Sequence, residues 1–104
     1  MVGPTAEGAL RELRADRLFL TVAGVSFNFG LSHTTVSEVT LKQAMIRSAR
    51  EVILLADHTY FGLESTIQVA PLTVLHQLIT DDALPASTRL DLSEAGIQVT
   101  LAVL

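Results

Sequence analysis

Continuous apolar runs that stop at polar turns recur along the chain. Residues 51–57 (Glu-Val-Ile-Leu-Leu-Ala-Asp) run into His58-Thr-Tyr-Phe-Gly62, residues 17–23 (Arg-Leu-Phe-Leu-Thr-Val-Ala) into Gly24-Val-Ser26, and Leu78-Ile79 into Thr80-Asp81-Asp82. Such runs lack the alternation of a half-exposed strand, so each predicts a parallel strand covered on both faces. Ligands of open α/β sheets bind beyond the carboxyl ends of the strands. The polar turns after these runs therefore mark one candidate edge.

The rest of the pattern fills in around these strands. Pro4 suits the first turn of a helix over residues 5–14, with Ala6, Ala9, Leu10 and Leu13 as its apolar stripe. Residues 24–34 read as a long, glycine-punctuated loop. Thr35 and Glu38 have the spacing of a capping box and open a helix over 36–49, with Val36, Leu41, Met45 and Ala49 facing inward. A tight turn or short helix through Phe61 and Gly62 follows the second strand. Further strands are predicted at 66–70, 77–80 and 97–103, a short helix near 72–76, and a helix over 86–95 stopped by Gly96. This order predicts an α/β fold: an open, mostly parallel sheet flanked by helices. Residues 1–104 read as a single domain. Because the chain opens on a helix, it reads as the C-terminal part of a larger one.

Composition narrows the function. The chain is 49% hydrophobic and only 17% charged, which leaves apolar surface for an interface and leads us to expect a homo-oligomer. Seven Lys and Arg against eleven Asp and Glu give a net charge of -4, so the electrostatic term of nucleic-acid binding is missing and DNA contact by these residues is not expected. There is no cysteine, and His33, His58 and His76 lack ligand-spaced partners, so neither a metal nor a cofactor is expected. No apolar run approaches the roughly 20 residues needed to cross a bilayer, and a cytoplasmic protein without a membrane partner is expected.

Several segments, in order and spacing, resemble the C-terminal part of the sensor domain of DeoR-type bacterial transcriptional repressors. They are residues 2–17, Gly24-Val-Ser26 to Gly30-Leu-Ser32, Glu38 to Lys42 with Ala44-Met-Ile46, residues 52–57, Phe61-Gly62, residues 69–72 and residues 78–82. The resemblance covers nearly the whole chain. It implies a fold akin to phosphosugar isomerases and coenzyme A transferases, and binding of a phosphorylated sugar or related metabolite that alters repressor affinity for DNA. It also implies that a winged helix-turn-helix and the first half of the sensor precede the point where this chain begins, so that DNA is contacted only through that absent part. One departure stands out: Thr59-Tyr60 occupies the place where the family usually carries Ser-Lys before Phe-Gly. A phenol can hydrogen-bond an oxygen but cannot neutralise a phosphate.

The candidate ligand-binding residues are Gly24, Ser26, Glu38, Lys42, Asp57, Tyr60 and Asp81. Asp57 is placed either to accept hydrogen bonds from sugar hydroxyls or to cap the turn that Phe61 and Gly62 close. Asp81 stands in the acidic turn after the strand at 77–80. Gly24 permits close backbone approach to a ligand, or merely a turn of positive φ. Glu38 and Lys42, four residues apart, read from spacing as a solvated helical pair worth about 0.3–0.5 kcal/mol; the resemblance brings them toward the site. Phe27 and Phe29 read as packing or interface groups. Ser26 lacks a nucleophile elbow, and no catalytic residue is assigned. Two other readings remain: an oligomerisation module that has lost its ligand, and a small phosphosugar isomerase-like enzyme with Asp57 or Glu38 as general base.

Overall fold

One row of side chains runs across the main sheet and sets its register. Leu20 pairs with Leu54, Leu54 with Leu78 and Leu78 with Val99, and the three leucines are almost completely buried. The computed structural model describes residues 15–102. The row ties together β1 (Ala15–Leu20), β4 (Ala49–Leu55), β6 (Gln77–Thr80) and β7 (Gln98–Leu101), a four-stranded sheet of order β1-β4-β6-β7 in which every pairing is parallel. The expected α/β class with a parallel sheet and flanking helices is therefore present. The helix predicted over 5–14 lies outside the described residues.

A second sheet departs from the expectation. Residues 24–34, read as a loop, form a hairpin of β2 (Gly24–Ser26) and β3 (Gly30–His33), and β3 pairs antiparallel with β5 (Ile67–Ala70). The strand at 66–70 thus belongs to this smaller antiparallel sheet. Val25 and Leu31 face each other across the hairpin and are buried, while Phe27 stands 52% exposed in the three-residue turn. Gly30 leaves that turn at φ +78°, the left-handed geometry that three-residue hairpins require.

Helix α1 (Val36–Ser48) starts at Thr35, whose hydroxyl accepts from the Glu38 amide, as its capping spacing predicts. Its buried residues are Val39, Ala44 and Ser48, whereas Val36 is 68% exposed. Each buried position lies three residues beyond a predicted one, so the inward face is rotated by about 60° at 3.6 residues per turn. Small side chains sit where the helix comes closest to the sheets, which leaves Leu41 and Met45 half-buried. Gln43 Nε2 donates to the Val69 carbonyl at 2.9 Å and fastens α1 to β5. Helix α2 (Ala86–Glu94) contributes Leu92 to the core and ends ahead of Gly96. Among the described residues no helix is long and apolar enough to cross a membrane.

Two substitutions test this packing. A Cβ at Gly30 would fall inside contact distance of the Ala70 carbonyl oxygen in a backbone geometry that L residues avoid, so Gly30→Ala should cost about 2–4 kcal/mol in urea unfolding. Thr80 is only 3% exposed and its hydroxyl has no partner among the described residues. Replacing it by the isosteric Val removes an unmet polar group, and the same measurement should show a gain of up to about 1 kcal/mol.

Candidate functional site

Hairpin β2–β3 is fastened to the segment after β4. Val25 bridges Phe61 in parallel, the Gly62 amide donates to the Val25 carbonyl at 2.8 Å, and Ser26 Oγ donates to Glu64 Oε2 at 2.9 Å. The Phe29 amide in turn donates to Ser26 Oγ, which fixes the hydroxyl at the hairpin turn. Gly24 is what allows the approach: a Cβ there would lie 2.5 Å from the Leu63 carbonyl oxygen. Buried Ser32 completes the seam, accepting from the Ser65 amide at 2.9 Å.

Between the hairpin, residues 58–64 and the start of α2 lies a cavity of about 630 Å³. Ser26, Asn28, His58, Glu64 and Thr88 give it polar groups; Phe27, Phe61, Leu72 and Leu84 are among its apolar ones. Among the described residues no Lys or Arg lines it. A smaller hollow of about 320 Å³ lies at the carboxyl ends of β4 and β6, against Leu55, Asp57, Tyr60 and Asp81.

His58 and Asp81 join the two hollows. The His58 amide donates to Asp81 Oδ1 at 3.1 Å, and His58 Nδ1 stands 2.6 Å from Oδ2. One residue thus engages both oxygens of the carboxylate. The His58 side-chain hydrogen bond, helped by its backbone amide and opposed by desolvation, holds the Asp81 carboxyl below its ordinary 3.8. Asp57 is occupied differently: its Oδ1 accepts from the Thr59 amide at 2.8 Å and from the Thr59 hydroxyl, capping the 3-10 turn His58–Tyr60.

The candidate residues are therefore divided. Ser26 lines the larger cavity; Asp57, Tyr60 and Asp81 line the smaller hollow; Gly24 shapes the hairpin seam. Glu38 and Lys42 line neither, sitting half-buried on α1. Glu64, Asn28, Thr88 and the aromatic pair Phe27 and Phe61 were not among the candidates. The pairing of His58 with Asp81 had a signal: each follows a strand end by a few residues, and those strands are neighbours. The other histidines serve local needs, His76 Nδ1 accepting from the Val52 amide and His33 Nδ1 from the Thr34 amide. Among the described residues no cluster of His, Asp and Glu could hold a metal ion.

Polar loops gathered beyond the carboxyl ends of parallel strands, beside a cavity of metabolite size, define the class of α/β domains that carry their sites at that edge. The chain belongs to the DeoR C-terminal sensor domain family, whose model matches residues 1–82. It is 34% identical over 99 residues to the HTH-type transcriptional regulator GlpR of Haloferax volcanii, across 95% of this chain and 39% of that protein. Over 101 residues it is 27% identical to the HTH-type transcriptional repressor CsqR of Escherichia coli K12, covering 97% of this chain and 39% of the relative. With the HTH-type transcriptional regulator IolR of Bacillus subtilis it shares 30% over 83 residues, which is 80% of this chain and 33% of IolR. The chain thus spans well under half the length of these relatives.

Asp81 gives a test of the junction between the hollows. Its lowered pKa means that ionised Asp81 stabilises the fold above the ordinary carboxylate range, and that this contribution vanishes as acid protonates it below 3.8. Asp81→Asn should accordingly be less stable than wild type at pH 6, with the difference closing as the pH of thermal melts is lowered toward 3.

Proposed function

We propose that this chain is the effector-sensing part of a transcriptional regulator of sugar metabolism. It binds a phosphorylated sugar or related small metabolite, and occupancy alters DNA binding by a winged helix-turn-helix carried outside these residues. The observation that supports this most is the polar and aromatic cavity of about 630 Å³ beside the strand ends of a chain that belongs to a sensor-domain family. Ser26, Asp57, Tyr60 and Asp81 are the proposed ligand contacts, with Gly24 holding the hairpin in place. The net charge of -4 fits a module that leaves DNA contact to another part.

A ligand shifts such a switch only by its preference for one arrangement, and a 100-fold preference corresponds to about 2.7 kcal/mol. The cavity suits that role because its walls come from three separate places: the hairpin, the segment after β4, and the start of α2. A homo-oligomer is part of the proposal, supported by Phe19, which stands 55% exposed in β1. The enzyme reading is the weaker one. A general base must reach the substrate's proton, whereas Asp57 Oδ1 is taken by the Thr59 amide and hydroxyl and Glu38 lines neither hollow.

The test is fluorescence anisotropy of operator DNA with the intact polypeptide that carries this chain, titrated with a panel of sugar phosphates, alongside calorimetry. At least one ligand should release heat and change DNA affinity by about tenfold or more. Absence of heat across the panel, with DNA affinity unchanged, would reject the sensor reading.

A further inference from the structure

We propose that Asp81 is a positioning residue that holds His58 in the tautomer protonated on Nδ1, so that the neutral ring offers Nε2 to the larger cavity as a hydrogen-bond acceptor and makes ligand binding there sensitive to protons. This rests on the sensor reading and adds a regulation of that site. The three histidines differ in what meets Nδ1. At His33 and His76 it is a backbone amide, from Thr34 at 2.9 Å and from Val52 at 3.0 Å. An amide N–H donates, so Nδ1 accepts in both, and the proton of the neutral ring lies on Nε2. At His58 the neighbour is a carboxylate oxygen, Asp81 Oδ2 at 2.6 Å. The Asp81 carboxyl is held below the usual carboxylate range, so it is ionised at neutral pH and accepts only. Nδ1 is therefore the donor, and His58 is the reverse of the other two.

The ring is also fixed in place. Asp81 Oδ1 accepts from the His58 amide at 3.1 Å, so backbone and side chain of one residue hold both carboxylate oxygens. His58 lines the larger cavity and Asp81 the smaller hollow, which sets the ring between them. With Nδ1 occupied, Nε2 is the nitrogen left to the cavity. It accepts from a ligand O–H or N–H while the ring is neutral, and it becomes a donor once the ring is charged. An imidazole makes that change between about pH 5 and 8. The titratable groups around His58 are Asp81 with Asp82 beside it after β6, Asp57 and Tyr60 at its own turn, and Glu64 on the same cavity wall. The hairpin and α2 present Ser26, Asn28 and Thr88 to that cavity, none of which titrates there.

The experiment is nitrogen-15 NMR of the imidazole rings in the intact polypeptide that carries this chain, at pH 8. His58 should be protonated on Nδ1, and His33 and His76 on Nε2. In Asp81→Asn the amide oxygen keeps the His58 backbone N–H and the NH2 group faces Nδ1, so the His58 proton should move to Nε2, while unchanged His33 and His76 signals report an intact fold. Calorimetry then follows each sugar phosphate of the panel that releases heat. Wild-type affinity should fall by up to about tenfold per pH unit below the His58 titration seen by NMR. The ligand's own phosphate titrates nearby, and His58→Gln, which keeps an acceptor but no titrating ring, should show that part alone. The proposal is overturned if His58 carries its proton on Nε2 in the wild type, if Asp81→Asn leaves it on Nδ1, or if wild type and His58→Gln share one pH dependence; in each case the sensor reading stands. Absence of heat across the whole panel, with DNA affinity unchanged, rejects the sensor reading and the proton-sensitive binding together, even where the His58 tautomer is as assigned.

Discussion

Parallel pairing of β4 with β6, Leu54 against Leu78, fixes how far each strand runs before it turns, and so which polar side chains meet beyond the sheet. Both leucines are completely buried, and truncating such a side chain to Ala costs about 2–5 kcal/mol, so the register is held firmly. A one-residue slip would turn every side chain of the strand to the other face. It would also separate residues 57 and 58 from Asp81, whose meeting follows from Leu55 lying beside Ile79. The junction between the two hollows is therefore a consequence of core packing and not an independent feature.

The small antiparallel sheet turns that edge into a cavity. Val25 and Leu31 anchor the hairpin in the core, Gly24 lets it lie against the Leu63 carbonyl, and Ser26 and Ser32 satisfy polar groups along the seam. A hairpin held by buried valine and leucine can leave its turn residues outside the core. Phe27 and Asn28 are then free to line a wall instead of filling a space.

Much of the frame was legible in the sequence because buried parallel strands are written as unbroken apolar runs. β1, β4 and β6 follow from residues 17–23, 51–56 and 77–80, and the start of α1 from the Thr35 and Glu38 spacing. The hairpin was not legible. Strands of three and four residues give too short an alternation to register, and Gly24 and Gly30 read as loop glycines when one permits close approach and the other makes the turn. The inward face of α1 was misplaced because hydrophobicity alone selects Leu41 and Met45, whereas close packing selects Ala44 and Ser48. Of the residues that line the smaller hollow, Asp57 and Asp81 are legible from strand ends. Glu64 and Phe27 could not be, since their place depends on the hairpin folding back onto residues 61–66. Glu38 and Lys42 entered through resemblance, and the helix carries them away from both hollows.

The distribution of strength across the fold suits a responsive wall on a fixed base. The leucine row sits in a core where each residue is worth several kcal/mol, and no modest ligand preference can reorganise it. The contacts at the cavity rim are of another kind. The Ser26 and Glu64 hydrogen bond is exposed to solvent, and a bond of this kind contributes about 1 kcal/mol or less. His58 and Asp81 likewise meet where water competes for both. In the proposed sensor, a ligand that replaces one such contact with its own polar groups would move the hairpin or the segment after β4 without touching the sheet. Its full preference would then be available to the proposed switch, because little of it would be spent on the core.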